Sequence, residues 1–181
     1  MKILKILPIF AIFYSWAMIL FSIYLNPWFN FQGDAFSSLG SESANYPFVY
    51  NILAMVITGL IIMIYSIYAI YLSRNKVETC GYSFLFISGI FLMLIGIYHS
   101  GTRPHTFVSS WFFIQSLFSF ITISIGLIIN KMRIGLILLL ISIISPFISY
   151  IIPWQSVAET EAFGIIVIDV AYSLSYISFR K

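Results

Sequence analysis

The sequence predicts an all-α membrane protein, a single bundle of six transmembrane helices. Hydrophobic residues make up 61% of the 181 residues, charged residues make up 8%, and the mean hydropathy is +1.02. So few charged side chains do not cover the surface of a soluble globule. The apolar residues are also grouped into six long stretches, and a helix needs about 20 such residues to cross a bilayer.

The six stretches predict spans at about residues 6–25, 48–72, 81–98, 107–129, 134–154 and 162–179. The first five contain no charged residue, and the sixth contains Asp169. Lys2 and Lys5 precede the first stretch, as cations do in a signal peptide, but the stretch is long and no small-residue cleavage site follows it. We therefore keep it as a span and expect residues 1–181 to form one transmembrane domain.

Lysine and arginine residues give the bundle a predicted orientation. Once six spans are drawn, eight of the nine cations fall on one side of the membrane and Arg103 falls on the other. Lys and Arg in short loops are retained on the cytoplasmic side. We therefore predict a multi-pass protein of the cell membrane with both termini in the cytoplasm. The eight cations are Lys2, Lys5, Arg74, Lys76, Lys131, Arg133, Arg180 and Lys181.

The first outer connection, residues 26–47, is long and aromatic. Within it, the segment from Asp34 to Gly40 predicts a short interfacial helix. Asp34 is a residue type that caps helix N-termini, and Gly40 is one that ends helices in a left-handed conformation. We expect this connection to fold against the membrane.

Most of the remaining ionisable residues lie in the three outer connections. Carboxylates with imidazoles bind zinc-like ions or act as acid and base near neutral pH. No known metal-ligand spacing occurs, however, and the single Cys80 excludes a disulfide and a cysteine-based metal site. We therefore assign no catalytic residue and predict no cofactor, with a metal ion kept as an alternative. The competing interpretation is that these are ordinary loop residues that form no shared site. The outer residues are Asp34, Glu42, His99, Arg103, His105, Glu159 and Glu161.

Asp169 is an ionisable residue inside an apolar span. A carboxylate there is expensive, and it usually faces the bundle interior or a wet cavity. Two interpretations stay open: Asp169 takes part in ion or proton movement, or it is neutral and hydrogen-bonds a serine or tyrosine of a neighbouring helix.

Several short motifs resemble those of a known family. They are Ala35 to Gly40, Tyr50-Asn51 with Gly59, Leu94 to Tyr98, Gly101-Thr102, Pro104-His105, Val108-Ser109, Phe112-Phe113 and Ala158 to Glu161. The chain resembles the six-span archaeal and bacterial membrane family catalogued as domain of unknown function 998. A fainter similarity joins the first outer loop and second span to the eukaryotic Frag1/DRAM/Sfk1 membrane proteins, which are associated with lipid handling; it transfers no function.

The resemblance implies a six-span bundle, and it implies no activity. It places Asn51, His105 and Glu161 on the family's polar outer positions. The family's Ser-Asp-Leu-Gly is Ser37-Ser38-Leu39-Gly40 here, and an acid stands at Asp34 instead. We expect a polar outer-face site composed of His105, Glu161, Asp34, Asn51 and Arg103.

Three functions follow from these features. The first, which we favour, is a lipid-contacting binding or accessory bundle, or a subunit of a membrane complex, with lipids and a second membrane protein or a second copy as partners. The second is an outer-face enzyme acting on lipid headgroups or lipid-linked substrates, and the third is a small transporter that uses Asp169. Nucleic acid is not an expected partner, because the cations are scattered through short loops.

Overall fold

The computed structural model of the protein describes residues 6–179. Of these, 79% are helical and none forms a strand, so the prediction of an all-α protein is confirmed. Four of the cations used to predict the orientation, Lys2, Lys5, Arg180 and Lys181, lie outside the described residues.

Six α-helices follow one another along the described residues. They are α1 Leu7–Leu25, α2 Ile57–Leu72, α3 Lys76–Ile97, α4 His105–Ile129, α5 Arg133–Ile151 and α6 Val157–Ile177. Five helical segments of this part of the chain are long and apolar enough to cross a membrane: α1, Val49–Leu72, α3, α4 and α5. The helix α6 is not among those five, and it carries Glu159, Glu161 and Asp169.

Two helices, α3 and α6, begin five residues before the apolar stretches that predicted them, because polar side chains cap their first turns. The Asn75 side chain accepts a hydrogen bond from the Glu78 amide, and α3 begins at Lys76. Ser156 accepts from the Glu159 amide in the same way at the start of α6. Such caps satisfy N–H groups that have no partner within the helix.

The links between helices gather at two ends of the bundle. The links that follow α2 and α4 carry or adjoin Arg74, Lys76, Lys131 and Arg133, and we call this the basic end. The opposite end, which we call the loop end, holds residues 26–48, 98–104 and 152–156.

Close backbone contacts place α3 in the middle of the bundle. A Cβ atom on Gly59 of α2 would lie 2.6 Å from the Gly89 carbonyl oxygen of α3, and one on Gly81 would lie 2.7 Å from the Ile123 nitrogen of α4. Small residues at helix crossings allow this close packing in membranes. The helices α1 and α5 are peripheral. Only 28% of the residues in the most apolar stretch of α1, and 22% of those in α5, are buried. Their outer faces are apolar, as expected for contact with lipid.

A π-helix, Val49–Val56, precedes α2 without a break. Its wider turn brings the backbone of Asn51 against Gly96 of α3, where any side chain would overlap the Asn51 carbonyl oxygen. Such turns are rare and occur frequently at functional sites. This one sets Tyr50 and Met55 against the interior of the loop end.

The first outer connection contains a 3-10 helix, Phe36–Gly40, and two details predicted for this segment are wrong. Asp34 does not cap the helix. The residue at the cap is Ala35, and Asp34 Oδ2 instead accepts from the Asn30 amide at 2.7 Å. Gly40 does not end the helix in a left-handed conformation, because its φ is not positive. A Cβ atom at Gly40 would overlap Asn51, so close packing explains the glycine.

Polar contacts dock this connection onto the bundle. The buried Asn26 accepts from the Asn45 amide at 2.6 Å and so joins the two ends of the loop. Ser156 donates to the Phe31 carbonyl oxygen at 2.6 Å, and the Ala158 amide donates to the Asp34 carbonyl oxygen at 3.0 Å. The loop is thus fixed against the beginning of α6.

Candidate functional site

A cavity of about 80 Å³ lies within the loop end of the bundle, and we call it the main cavity. This is several times the roughly 10–15 Å³ that one water needs. Its walls are mostly apolar side chains from the π-helix and from all the helices except α5. Its polar side chains are Ser15, Ser37, Tyr50, Thr58, His105, Ser109, Glu161 and Asp169.

Glu161 lies near the start of α6, where the 3-10 helix packs on it. Its Oε2 accepts a hydrogen bond from the Phe36 amide at 2.6 Å, and the amide of Ser37 also faces this carboxylate. These N–H groups belong to the first turn of the 3-10 helix, which has no partner for them within the helix. Glu161 therefore fixes the loop to α6 and lines the cavity at the same time.

Phe36 closes the cavity from the loop side. Its ring is only 2% exposed and packs on Phe29 and Phe31 of the same loop, each with ring centroids 5.9 Å away. Its other contact is with Trp16 of α1, edge to face at 6.3 Å. One loop residue thus connects α1 with α6.

Asp169 lies two turns further along α6 and is held by Trp16. The indole N–H donates to Asp169 Oδ2 at 2.7 Å. Asp169 lines the main cavity and also a second cavity of about 30 Å³, which lies nearer the basic end and includes Tyr172. One of the two open interpretations expected a serine or tyrosine as the partner of Asp169, and the structure shows a tryptophan instead.

His105 begins α4 and has a defined tautomer. Its Nδ1 lies 2.7 Å from the Tyr98 carbonyl oxygen. Because a carbonyl oxygen only accepts, Nδ1 must carry the proton, and in the neutral ring Nε2 then keeps a lone pair. His105 therefore offers a hydrogen-bond acceptor or a base to the cavity that it lines.

Of the residues predicted for a polar outer-face site, the structure brings His105 and Glu161 to one cavity and adds Asp169. Asp34 is occupied within its own loop. Asn51 donates to the Gly40 carbonyl oxygen at 2.8 Å and does not line the cavity. Arg103 is exposed and does not line it either.

Sequence reasoning missed Phe36 and Trp16 as parts of this site. A usable signal existed for Trp16. Counted from the outer ends of the predicted spans, Trp16 and Asp169 lie at similar depths, and an indole N–H is a donor that a carboxylate in an apolar span needs. No comparable signal marked Phe36, because its position depends on how an irregular loop folds.

A second polar cluster was also missed, at the basic end. Glu78 is fully buried. Its carboxylate accepts hydrogen bonds from the Arg74 amide at 3.0 Å and from Asn130 Nδ2 at 2.5 Å. The Nη1 atom of Arg74 lies 3.6 Å from the same carboxylate. Arg74 also donates to the Ser178 carbonyl oxygen. This cluster joins the links after α2 and α4 to the end of α6, and it lines neither cavity.

Within residues 6–179, no group of three or more His, Cys, Asp and Glu side chains is arranged to hold a metal ion. The chemistry available in the main cavity is therefore that of its own residues: two carboxylates, one imidazole and several hydroxyls. These groups donate and accept hydrogen bonds and attract positive charge.

The fold and the cavity define a class of protein, an α-helical membrane protein with an internal site that is apolar along its walls and polar at a few positions. The chain belongs to the family described as protein of unknown function (DUF998), whose match covers residues 9–177 and so includes every residue of the site. No curated protein and no solved structure matches the chain.

Proposed function

We propose that this protein is a six-span protein of the cell membrane whose main cavity binds the polar head and first carbons of a membrane amphiphile. The observation that supports binding is the composition of the cavity: apolar walls with Glu161, His105 and Asp169 at separate positions along them. Ligand sites are mostly apolar pockets with a few placed polar groups that orient the ligand.

In the proposed topology α6 is the sixth span and the basic end faces the cytoplasm. With 21 residues, α6 is about 31 Å long at 1.5 Å per residue, which matches a hydrocarbon core of about 30 Å. The cations of the basic end support the direction. The 3-10 helix then lies at the outer interface as a cover over the cavity.

Cysteine labelling in intact cells tests this topology. In a Cys80→Ser background, we expect Ser43→Cys at the loop end to react with a membrane-impermeant maleimide and Lys131→Cys at the basic end to react only after lysis. Labelling of Lys131→Cys without lysis would show that the basic end faces outward and would contradict the proposed topology.

Analysis of co-purified lipids tests the binding function. We expect the chain purified in a mild detergent to retain an amphiphile enriched over its share of the membrane extract. Ala54→Leu, which fills the buried cavity wall, should reduce this enrichment several-fold, whereas Ala17→Leu on the exposed face of α1 is the matched control. Retained lipids that match the bulk membrane and do not respond to Ala54→Leu would overturn the proposal.

A second candidate function is an outer-face enzyme, and the tautomer of His105 favours it. With Nδ1–H held by the Tyr98 carbonyl oxygen, Nε2 is available as a general base in the same cavity as an acid, Glu161. If the protein is this enzyme, His105→Ala and Glu161→Gln should each change the lipid composition of cells. Unchanged lipids in both variants would leave binding as the function.

A further inference from the structure

We infer that the ligand of the main cavity is an amphiphilic cation, with an ammonium-like head held by Glu161 and Asp169. This inference rests on the proposed binding function and adds the chemical class of the ligand. It starts from the charges that line the cavity, which are all of one sign.

Two carboxylates line the main cavity, and among residues 6–179 no lysine or arginine lines it. The cation on the loop end, Arg103, is exposed and lies outside the lining. The remaining titratable group with a basic side chain is His105, whose Nε2 accepts rather than donates in the neutral ring. The cavity therefore attracts positive charge and repels anions.

The carboxylates have few partners within the protein. Asp169 receives one donor, the Trp16 indole, at Oδ2, and within residues 6–179 no protein donor reaches Oδ1. Glu161 is met by loop amides, and no cation from the described part of the chain pairs with it. A carboxylate away from bulk water costs several kcal/mol unless it is paired or protonated. A bound cation supplies the missing partner.

The apolar walls suit both ends of such a ligand. The rings of Phe36, Phe112 and Phe113 line the cavity, and aromatic faces attract ammonium groups. Ile165 and Ile168 lie between the two carboxylates on α6 and offer contact to a hydrocarbon chain. A phosphate or sulfate head would meet carboxylates without a compensating cation.

Three eight-carbon probes that differ only in head-group charge test the inference: octylammonium, octanol and octanoate. At pH 7.5 the amine is protonated, since alkyl amines like that of lysine titrate at about 10.4. The full chain is purified in a neutral maltoside detergent. Binding is followed by the fluorescence of Trp16 after Trp28, Trp111 and Trp154 are replaced by Phe, and by the shift in thermal unfolding.

We expect octylammonium to bind at least tenfold more tightly than octanoate, with octanol between them. Asp169→Asn and Glu161→Gln should each weaken octylammonium binding about tenfold and leave octanol binding nearly unchanged. Retained octanol binding also shows that the variant is folded. Glu159→Gln is the matched control, because Glu159 lies on α6, accepts from the Gln155 amide and is outside the cavity.

The outcomes separate the two proposals. Equal affinity for the three probes, or tighter binding of octanoate, would overturn the cation inference and leave the binding function intact. Failure of all three probes to bind would overturn both. Tenfold selectivity for octylammonium that survives both carboxylate substitutions would also reject the inference, since the charge would then act elsewhere.

Discussion

Glu78 and Glu161 are the same side chain near the start of two helices, at opposite ends of the bundle, and their surroundings differ. Glu78 is fully buried and surrounded by donors from two links, one of them a guanidinium. Glu161 accepts from backbone amides of the loop, has no ion pair within residues 6–179, and faces a cavity. The comparison teaches that a buried carboxylate with a complete set of partners locks a fold, whereas one with partners missing is available to a ligand.

The largest effect is expected at the basic end. Glu78→Ala should lower the free energy of unfolding by about 3 kcal/mol, because it removes the buried acceptor of Asn130 and of the Arg74 amide, together with its contact to the partly exposed Arg74 guanidinium. Thermal unfolding in detergent measures this, with Glu159→Ala as the control. A loss no larger than that of the control would show that the Glu78 cluster contributes little to stability.

An intermediate effect is expected from Trp16→Phe. A smaller aromatic ring remains, but Asp169 loses its indole donor, which should cost about 1–2 kcal/mol. In an Asp169→Asn background the same substitution should cost less, and this difference in a double-mutant cycle measures the coupling. Equal costs in the two backgrounds would contradict a hydrogen bond between these side chains.

The smallest effect on stability is expected from Glu161→Gln, at about 1 kcal/mol or less. The amide oxygen of glutamine still accepts from the Phe36 amide, and no ion pair is lost. Thermal unfolding should therefore change little while binding of the octylammonium probe weakens. A loss of stability as large as that of Glu78→Ala would remove the contrast between the two ends.

The helices were predictable from the sequence, and much of the site was not. Long apolar stretches predict helices, because a chain in lipid must satisfy its backbone hydrogen bonds internally. Each predicted span accordingly overlaps an observed helix. The caps at Asn75 and Ser156 moved two helix starts into polar segments that hydropathy ignores. His105 and Glu161 were named from residue type and family likeness.

The convergence of the site residues required the folded chain. Asp34 was excluded because the 3-10 helix begins after it, and Asn51 because the π-helix turns it toward Gly40. Both outcomes depend on local departures from regular α-helix, which apolar periodicity does not report. Glu78 escaped notice because it stands beside loop cations, where an acid is unremarkable in a sequence.

The π-helix at Val49–Val56 also determines how this region tolerates changes of length. A π-helical segment holds one more residue than the α-helical path it replaces. Deletion of Leu53 would return this segment to regular α-helix, and the residues before it would keep their directions around the axis. Deletion of Leu60 in α2 would instead turn every earlier residue by about 100°, so that Tyr50 would leave the cavity wall. Deletion of Leu53 should therefore be less harmful than deletion of Leu60.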